Sequence, residues 1–155
     1  MAKTRYAVAL GSNRRGRHGA PADTIRAAAR AIESRSLSRI RSTPALGPAG
    51  RSFANAVAIV ESELDPAELL AILKATERSF GRRSGRRWGP RILDLDIILW
   101  SEGPFESTGL VVPHRAFRER RFVLQPLAEI APAWRDPITG RTARQLLALH
   151  GKARG

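Results

Sequence analysis

One segment, residues 87–100, combines a strongly apolar pattern with two acidic side chains and reads RWGPRILDLDIILW. From Ile92 onward this pattern predicts a β-strand, because large and branched apolar residues dominate and a Gly-Pro pair marks a boundary before it. Side chains on a strand alternate between its two faces. Asp94 and Asp96 therefore share one face, and the other face, suited to cover a core, carries Leu93, Leu95, Ile97 and Leu99.

The two acidic residues form the first candidate site. Two carboxylates on one strand face lie roughly 6 to 7 Å apart and repel each other unless a cation lies between them. Oxygen ligands of this kind suit Mg²⁺, which proteins often share with the phosphates of a substrate. The alternative is that Asp94 and Asp96 form the solvated face of an amphipathic strand, since an isolated Asp-x-Asp pattern is a weak signal.

Five arginines crowd the approach to this pair. Arginine binds phosphate through its planar fork of N–H groups, and Mg²⁺ neutralises the phosphate charge that the arginines do not. A charge run is usually a solvated face. Next to paired carboxylates, however, it favours a site for a metal-bridged polyphosphate, with a glycine-containing loop that closes over it. The arginines are Arg82, Arg83, Arg86, Arg87 and Arg91.

Four motifs, in order along the chain, extend this interpretation. The run from Arg87 to Ile97 closely resembles the signature of the 6-hydroxymethyl-7,8-dihydropterin pyrophosphokinase family of folate biosynthesis. Three further segments match the same family: Leu10-Gly11-Ser12-Asn13; residues 43–48 followed by 53–57; and Val112-Pro113-His114 followed by Arg120, Phe122 and Pro126-Leu127. The resemblance covers nearly the whole chain. It implies transfer of a diphosphate group from ATP to the hydroxymethyl group of the pterin, giving AMP.

The resemblance also implies roles for individual residues. Two Mg²⁺ ions would lie along the triphosphate of the co-substrate ATP, held by Asp94 and Asp96. The transferring phosphates would be bound by Arg82 and Arg91. The remaining ATP contacts would come from Glu77, Trp88, Ile97, His114 and Arg120, and the pterin contacts from Thr43, Leu46, Gly47, Phe53, Asn55 and Phe122.

Several of these residues have a plainer alternative. An amide pairs with the nitrogens and oxygens of a heterocycle and an aromatic ring stacks on its face, but core packing and a turn or edge position would also explain Phe53 and Asn55. A surface carboxylate is the commoner explanation of Glu77. A structural histidine is the commoner explanation of a lone residue such as His114, and packing is the alternative for Trp88.

The element pattern predicts an α+β fold. The order strand, helix, strand, strand, helix, strand is that of a ferredoxin-like β-α-β-β-α-β antiparallel sheet, here with extra C-terminal helices. Helices on one face would leave the other face free, and there we expect Asp94, Asp96 and Asn55 to meet. The predicted strands cover residues 5–10, 37–43, 53–62 and 92–100, and the predicted helices about 22–34, 65–81, 123–130 and 142–151.

Local signals refine these elements. Asp65 and Glu68 have the spacing of a helix-capping box, and so do Thr142 and Gln145. The first helix should bury Ile25, Ala28, Ala29 and Ile32, and the second Leu69, Leu73, Thr76 and Phe80. Residues 14–19 contain three arginines and two glycines and depart from the family pattern. We interpret them as a mobile surface loop, in which His18 has no assigned role, and residues 100–110 as a polar excursion.

Composition limits the remaining possibilities. The 155 residues fit one domain spanning 1–155, and the absence of cysteine excludes disulfides and Cys-ligated metals. No segment resembles a signal peptide or a membrane span, so we expect a cytoplasmic protein with no membrane partner, and a monomer. The formal net charge of +13 implies an anionic partner: nucleic acid, an anionic membrane or a phosphorylated small molecule.

Two other functions compete with the enzyme. A nucleic-acid-binding module on the same frame would explain the charge, but the expected aromatic motif is missing and carboxylates repel a phosphate backbone. An inactive family member is opposed by the joint presence of the candidate residues. The chain departs from the family at three places: Gly109 and Val111 fall where members often supply polar or basic contacts to ATP, and Arg115 stands where an aromatic residue or proline is commoner.

Overall fold

The computed structural model of the chain describes residues 2–43, 53–81 and 92–154. Seven strands and four helices lie in this part of the chain. The strands are β1 (Thr4–Ser12), β2 (Ser36–Leu37), β3 (Arg41–Thr43), β4 (Phe53–Ser62), β5 (Asp94–Trp100), β6 (Phe105–Ser107) and β7 (Leu110–Val112). The helices are α1 (Pro21–Ala31), α2 (Pro66–Ser79), α3 (Arg121–Ile130) and α4 (Ala143–Arg154), with a one-turn 3₁₀ helix at Phe117–Glu119.

The main sheet is antiparallel and has the order β2-β4-β1-β5, with β3 also paired to β4. This order and the alternation of strands with α1 and α2 confirm the predicted ferredoxin-like α+β fold. The central strand β1 pairs along its whole length with β4. It also pairs with β5, so the carboxylate-bearing strand lies at one edge of the sheet.

The predicted second strand is divided. We expected one strand over 37–43, but β2 and β3 are short pieces that both pair with β4. Between them, Ser38 replaces regular pairing: its N–H donates to the carbonyl of Val57 at 2.9 Å, and its Oγ accepts from the Val57 N–H at 3.0 Å. A serine side chain offers the backbone this alternative partner, which a pattern of apolar residues does not reveal.

The first core lies between the sheet and helices α1 and α2. It contains the four predicted residues of α1, together with Leu69, Leu73 and Phe80 from α2 and its C-terminal end. The capping box of α2 is confirmed, since Glu68 N–H donates to Asp65 at 2.8 Å and Asp65 N–H to Glu68 at 3.0 Å. Thr76 is only half-buried, and the polar residue buried on this helix is Glu77 instead.

The second core corrects the prediction of a free sheet face. Helices α3 and α4 and the 3₁₀ helix cover much of the face that carries Asp94 and Asp96, and they pack Phe117, Leu124 and Leu127 against Val57 and Leu99. The apolar stripes of α3 and α4 must be buried against something, and the sheet supplies that surface. Within the residues that the structure describes, Asp94 and Asp96 are half-buried near the start of β5 and lie outside this apolar cluster.

A β-bulge in β5 corrects the predicted alternation. Val8 of β1 lies opposite Ile97, but Ala7 lies opposite Leu99, so Ile98 is an extra residue. An inserted residue reverses the faces of the residues that follow it. Leu99 accordingly packs in the second core rather than beside Leu93, Leu95 and Ile97 in the first.

The C-terminal part differs from the prediction in two places. Most of the segment 100–110, which we interpreted as a polar excursion, belongs to a hairpin in which β6 pairs with β7. The last helix begins with the predicted Thr142–Gln145 capping box but continues to Arg154, beyond Gly151. No helix in the described ranges is long and apolar enough to cross a membrane.

Candidate active site

Three residues on neighbouring strands form a single row across the sheet. Gly11 of β1 lies opposite Asn55 of β4 on one side and opposite Asp94 of β5 on the other. Residues directly opposite each other in an antiparallel pair share a face. Asp96 is two residues further along β5, so it lies on the same face as Asp94, opposite Ala9 of β1. The structure thus brings Asn55, Asp94 and Asp96 onto one face, as the sequence predicted.

Gly11 is a site residue that the sequence analysis missed. It was expected to end β1 in a turn, but β1 continues through Gly11 and Ser12. A Cβ atom placed on Gly11 would lie 3.4 Å from Oδ1 of Asn55 and would fill the space between Asn55 and Asp94. Its backbone is not in the left-handed region, so the glycine provides room rather than an unusual backbone conformation.

Arg41 continues this row onto β3, where it lies opposite Asn55. Its Nη2 is 2.5 Å from Oε1 of Glu129, and Oε2 of Glu129 accepts the Arg39 N–H at 2.9 Å. Burial alone would raise the pKa of Glu129, but these hydrogen bonds and the two arginine charges outweigh it and hold that pKa below its usual value. The contacts tie the edge of the sheet beside Asn55 to the end of α3.

His114 reaches the acidic face from the loop after β7. Its N–H donates to the carbonyl of the bulged residue Ile98 at 3.0 Å, and its Nδ1 accepts the Ala116 N–H at 3.1 Å. In the neutral ring the proton is therefore on Nε2. The bulge thus provides the attachment point for His114, which no periodic pattern would reveal.

The charges around His114 place it beside two other candidate residues. Burial lowers the pKa of His114, the nearby Asp96 carboxylate opposes that shift, and the Arg120 guanidinium adds to it. Asp96 and Arg120 therefore each lie within electrostatic reach of His114. A carboxylate, an imidazole and a guanidinium in one place are suited to binding a metal-complexed phosphate chain.

Contacts with Asp136 and with α4 hold the segment that carries His114 and Arg120 in place. In the 3₁₀ helix, Arg118 forms two hydrogen bonds of 2.5 and 2.8 Å to the fully buried Asp136. His150 of α4 lies 3.1 Å from the carbonyl of Glu119. Because Arg120 follows directly, these contacts fix where its side chain begins.

Two of the predicted pterin residues carry exposed aromatic rings. Phe53 shares a face of β4 with Asn55 and is 36% exposed, and Phe122 in the first turn of α3 is 41% exposed. The Arg120 guanidinium lies 5.7 Å from the centre of the Phe122 ring. Because these rings are not fully packed in a core, their faces are available to stack on a flat ligand.

The donor set fits Mg²⁺ in one respect. Asp94 and Asp96 are half-buried carboxylates on one face, and oxygen is the ligand that Mg²⁺ prefers. Across residues 2–43, 53–81 and 92–154 no three His, Cys, Asp or Glu side chains form a complete metal-binding group. The site therefore fits a cation that takes its other ligands from substrate phosphates and water, as Mg²⁺ does.

Other predicted residues lie elsewhere or outside the described ranges. Ile97 is 2% exposed in the first core, on the face opposite the carboxylates, so only its backbone is available for a contact with ATP. Glu77 is buried rather than on the surface, and its carboxylate accepts the Leu95 N–H. Thr43 is described only as a strand residue of β3. Outside the described residues lie Leu46, Gly47, Arg82, Trp88 and Arg91.

The loop at residues 14–19 lies at the surface, as expected, and it also contacts the end of α2 and Ile92. His18 stacks on Phe80 with ring centres 4.5 Å apart, and the Arg17 guanidinium donates to the Ser79 carbonyl. A Cβ on Gly16 would lie 2.8 Å from Cγ2 of Ile92, so the loop backbone packs closely on the residue that leads into β5. His18 therefore has a packing role.

Comparison with known proteins identifies the family. Residues 7–132 match the family model of 7,8-dihydro-6-hydroxymethylpterin-pyrophosphokinase. A 2-amino-4-hydroxy-6-hydroxymethyldihydropteridine pyrophosphokinase of Pseudomonas aeruginosa is 42% identical over 151 residues, which cover 93% of this chain and 90% of that protein. The protein of the same name from Synechocystis is 45% identical over 103 residues, covering 66% of this chain but only 53% of that protein, about half its length.

A solved structure supports the fold. The crystal structure of Plasmodium falciparum HPPK-DHPS wild type superposes with a TM-score of 0.73 at 12% identity, covering 96% of this chain and 41% of that one. At this identity the likeness concerns the fold alone. Together with the sequence matches, it shows that this chain belongs to the 7,8-dihydro-6-hydroxymethylpterin-pyrophosphokinase family.

Proposed function

We propose that this chain transfers a diphosphate group from ATP to the hydroxymethyl group of 6-hydroxymethyl-7,8-dihydropterin, giving AMP and the pterin diphosphate for folate synthesis. Family membership supports an ATP-dependent pyrophosphokinase. The observation that carries the proposal is the row formed by Asn55, Gly11 and Asp94. Two strand spacings, roughly 10 Å in all, separate an amide suited to a heterocycle from a carboxylate suited to a metal-bound triphosphate.

On the nucleotide side, we assign the metal to the carboxylates and the phosphates to the basic residues. Asp94 and Asp96 would hold Mg²⁺, and we propose two ions. When bound, Mg²⁺ would supply positive charge that offsets the negative charge of the triphosphate. His114, which lies within electrostatic reach of both Asp96 and Arg120, contacts the phosphates together with Arg120. From the family resemblance we assign Arg82 and Arg91 to the transferring phosphates, and Trp88 and the backbone of Ile97 to the nucleotide.

On the pterin side, the amide of Asn55 pairs with the edge of the ring system, and Phe53 and Phe122 stack on its faces. Thr43, Leu46 and Gly47 complete this side in the proposal. The absent side chain of Gly11 leaves the path open between the ring and the carboxylates. Catalysis then depends on holding the acceptor hydroxyl in line with the β-phosphorus and on charge stabilisation.

The proposal also covers the domain organisation, the oligomeric state and the cellular location of the protein. We propose a single domain over residues 1–155 that acts as a monomer in the cytoplasm on two small-molecule substrates, without nucleic acid. Pairing of β1 with both β4 and β5 supports one domain, because the sheet joins strands from the beginning and middle of the chain. Light scattering of the purified protein tests the monomer.

AMP formation from Mg-ATP, with and without 6-hydroxymethyl-7,8-dihydropterin, tests the function. The native protein should form AMP only with the pterin, and Asp96→Asn should lower the rate by roughly 100-fold or more, since metal-dependent charge stabilisation contributes several kcal/mol. Asp23→Asn is the matched control, because Asp23 is an exposed residue of α1 paired with Arg26. Folded native protein that forms no AMP but binds RNA with a steep salt dependence would overturn the proposal.

A further inference from the structure

We propose that Glu77 is a positioning residue for the metal site: its buried carboxylate holds the backbone between Asp94 and Asp96 and so sets how the two acidic side chains project. The inference rests on the proposed function for the meaning of the metal site. It differs from the nucleotide contact expected from the sequence, because Glu77 would act through Leu95.

The burial and contacts of Glu77 carry the inference. Glu77 lies near the end of α2 and is 1% exposed. Its Oε2 accepts the backbone N–H of Leu95 at 2.6 Å, and its Oε1 lies 3.4 Å from Nζ of Lys74. A carboxylate is costly to bury, and a short charge-assisted hydrogen bond is one of the few contacts that offsets this cost.

The position of β5 explains why a side chain is needed there. β5 is the last strand in the sheet order and pairs with β1 along one edge. The backbone groups on its other edge need partners from elsewhere in the protein. Glu77 provides one at Leu95, whose own side chain is fully buried in the first core near Leu73 of α2.

The contact acts directly on the acidic pair because Leu95 is the residue between its two members. The side chain of Leu95 points into the first core, so those of Asp94 and Asp96 project from the opposite face. Ala9 and Gly11 of β1 hold the backbone from one edge, and Glu77 holds it from the other. A strand fixed at both edges keeps the two carboxylates in a constant relative position before the cation arrives.

Three substitutions separate hydrogen bonding from charge and from burial. Glu77→Gln keeps an oxygen that accepts the Leu95 N–H but removes the charge. Glu77→Met keeps the length without an acceptor, and Glu77→Asp keeps the charge but draws the oxygens back by one bond. Tyr6→Phe is the matched control, since it removes a buried 2.6 Å hydrogen bond to the Leu64 carbonyl at the other end of β1.

Two readouts do not depend on turnover. Hydrogen exchange of the Leu95 amide, followed by NMR, reports the contact itself. Electron paramagnetic resonance of Mn²⁺ with a non-hydrolysable ATP analogue reports cation affinity. We expect Glu77→Met and Glu77→Asp to speed the exchange and to weaken Mn²⁺ binding by roughly 10- to 100-fold, the usual effect of losing a residue that orients a metal ligand. Glu77→Gln should remain within a few-fold of the native protein.

Other outcomes would overturn the inference. If Glu77→Met and Glu77→Asp lose thermal stability as Tyr6→Phe does but keep native Mn²⁺ affinity, Glu77 is a structural anchor only. If Glu77→Gln weakens binding as strongly as Glu77→Met while Leu95 exchange is unchanged, Glu77 acts by charge on the ligand. Should Glu77→Met fail to fold, Glu77→Asp decides the question. AMP formation by the native protein is measured separately, so a failure of the proposed function is recognised independently.

Discussion

Gly11 lies directly opposite Asn55, and a side chain on Gly11 would begin 3.4 Å from the amide oxygen of Asn55. The backbone of Gly11 would accept alanine without strain, because it is not in the left-handed region. We therefore attribute the presence of glycine at position 11 to the space that it leaves between the Asn55 amide and Asp94.

Gly11→Ala should weaken pterin binding while leaving the fold intact. The added methyl group occupies the space in which the acceptor must sit, and a displacement of about 1 Å is enough to lower a rate by up to about 100-fold. The melting temperature should stay the same or rise, because alanine costs less entropy in a strand than glycine. Titration calorimetry with the pterin measures the loss of affinity and AMP formation measures the loss of rate, and native values of both in the variant would contradict the assignment.

The pKa of His114 should respond to its two charged neighbours in opposite directions. The Asp96 carboxylate favours the protonated imidazole and the Arg120 guanidinium disfavours it. Asp96→Asn should therefore lower the pKa of His114 further, and Arg120→Gln should raise it. An NMR titration of the imidazole measures both shifts. An unchanged pKa in both variants would show that the three side chains are not neighbours.

Phe122→Leu should weaken pterin binding by roughly 2- to 10-fold, the contribution of a favourable ring stack. The ring is 41% exposed, so the loss of stability should be small. Ile72→Ala is the control, since Ile72 is 51% exposed on α2 and its truncation should leave pterin affinity unchanged. Equal effects of the two substitutions would argue against a stacking role for Phe122.

Asp136 should make stability depend on pH in the acid range. Burial alone would raise its pKa, but hydrogen bonds from Arg118, Ile138 and Thr139 outweigh burial and hold the pKa below its ordinary value. A carboxyl group with a depressed folded pKa stabilises the protein above its unfolded pKa, and this contribution is lost as the pH falls through the folded value.

Asp136→Asn should lower the free energy of unfolding by about 3 kcal/mol near neutral pH, because it leaves Arg118 without its buried partner. It should also flatten the loss of stability below about pH 4. Urea unfolding of both proteins between pH 2.5 and 7 measures the difference. Parallel stability curves across this range would contradict the role of Asp136.

Much of the fold follows from patterns that lie within one element. Local spacing predicted the buried face of α1 and the capping boxes at Asp65 and Thr142. The alternation of strands and helices along the chain predicted the fold class. The face shared by Asp94 and Asp96 was predictable for the same reason: a strand alternates until an extra residue interrupts it.

The remaining features depend on partners from distant parts of the chain. The bulge at Ile98 is visible only in the register between β5 and β1, and the division of β2 from β3 depends on the contact of Ser38 with Val57. Coverage of the acidic face by α3 and α4 could not be read from either helix alone. The sequence analysis made Glu77 an ATP contact, with a surface carboxylate as the alternative, because no pattern within α2 reveals Leu95 as its partner.

The fate of the β-phosphorus of ATP tests the central claim most directly. The protein is incubated with Mg²⁺, 6-hydroxymethyl-7,8-dihydropterin and ATP labelled at that phosphorus, and the products are separated by chromatography. Diphosphoryl transfer predicts that the label appears in a pterin diphosphate together with an equal amount of unlabelled AMP. Label recovered in ADP, with a pterin monophosphate as the second product, would contradict it.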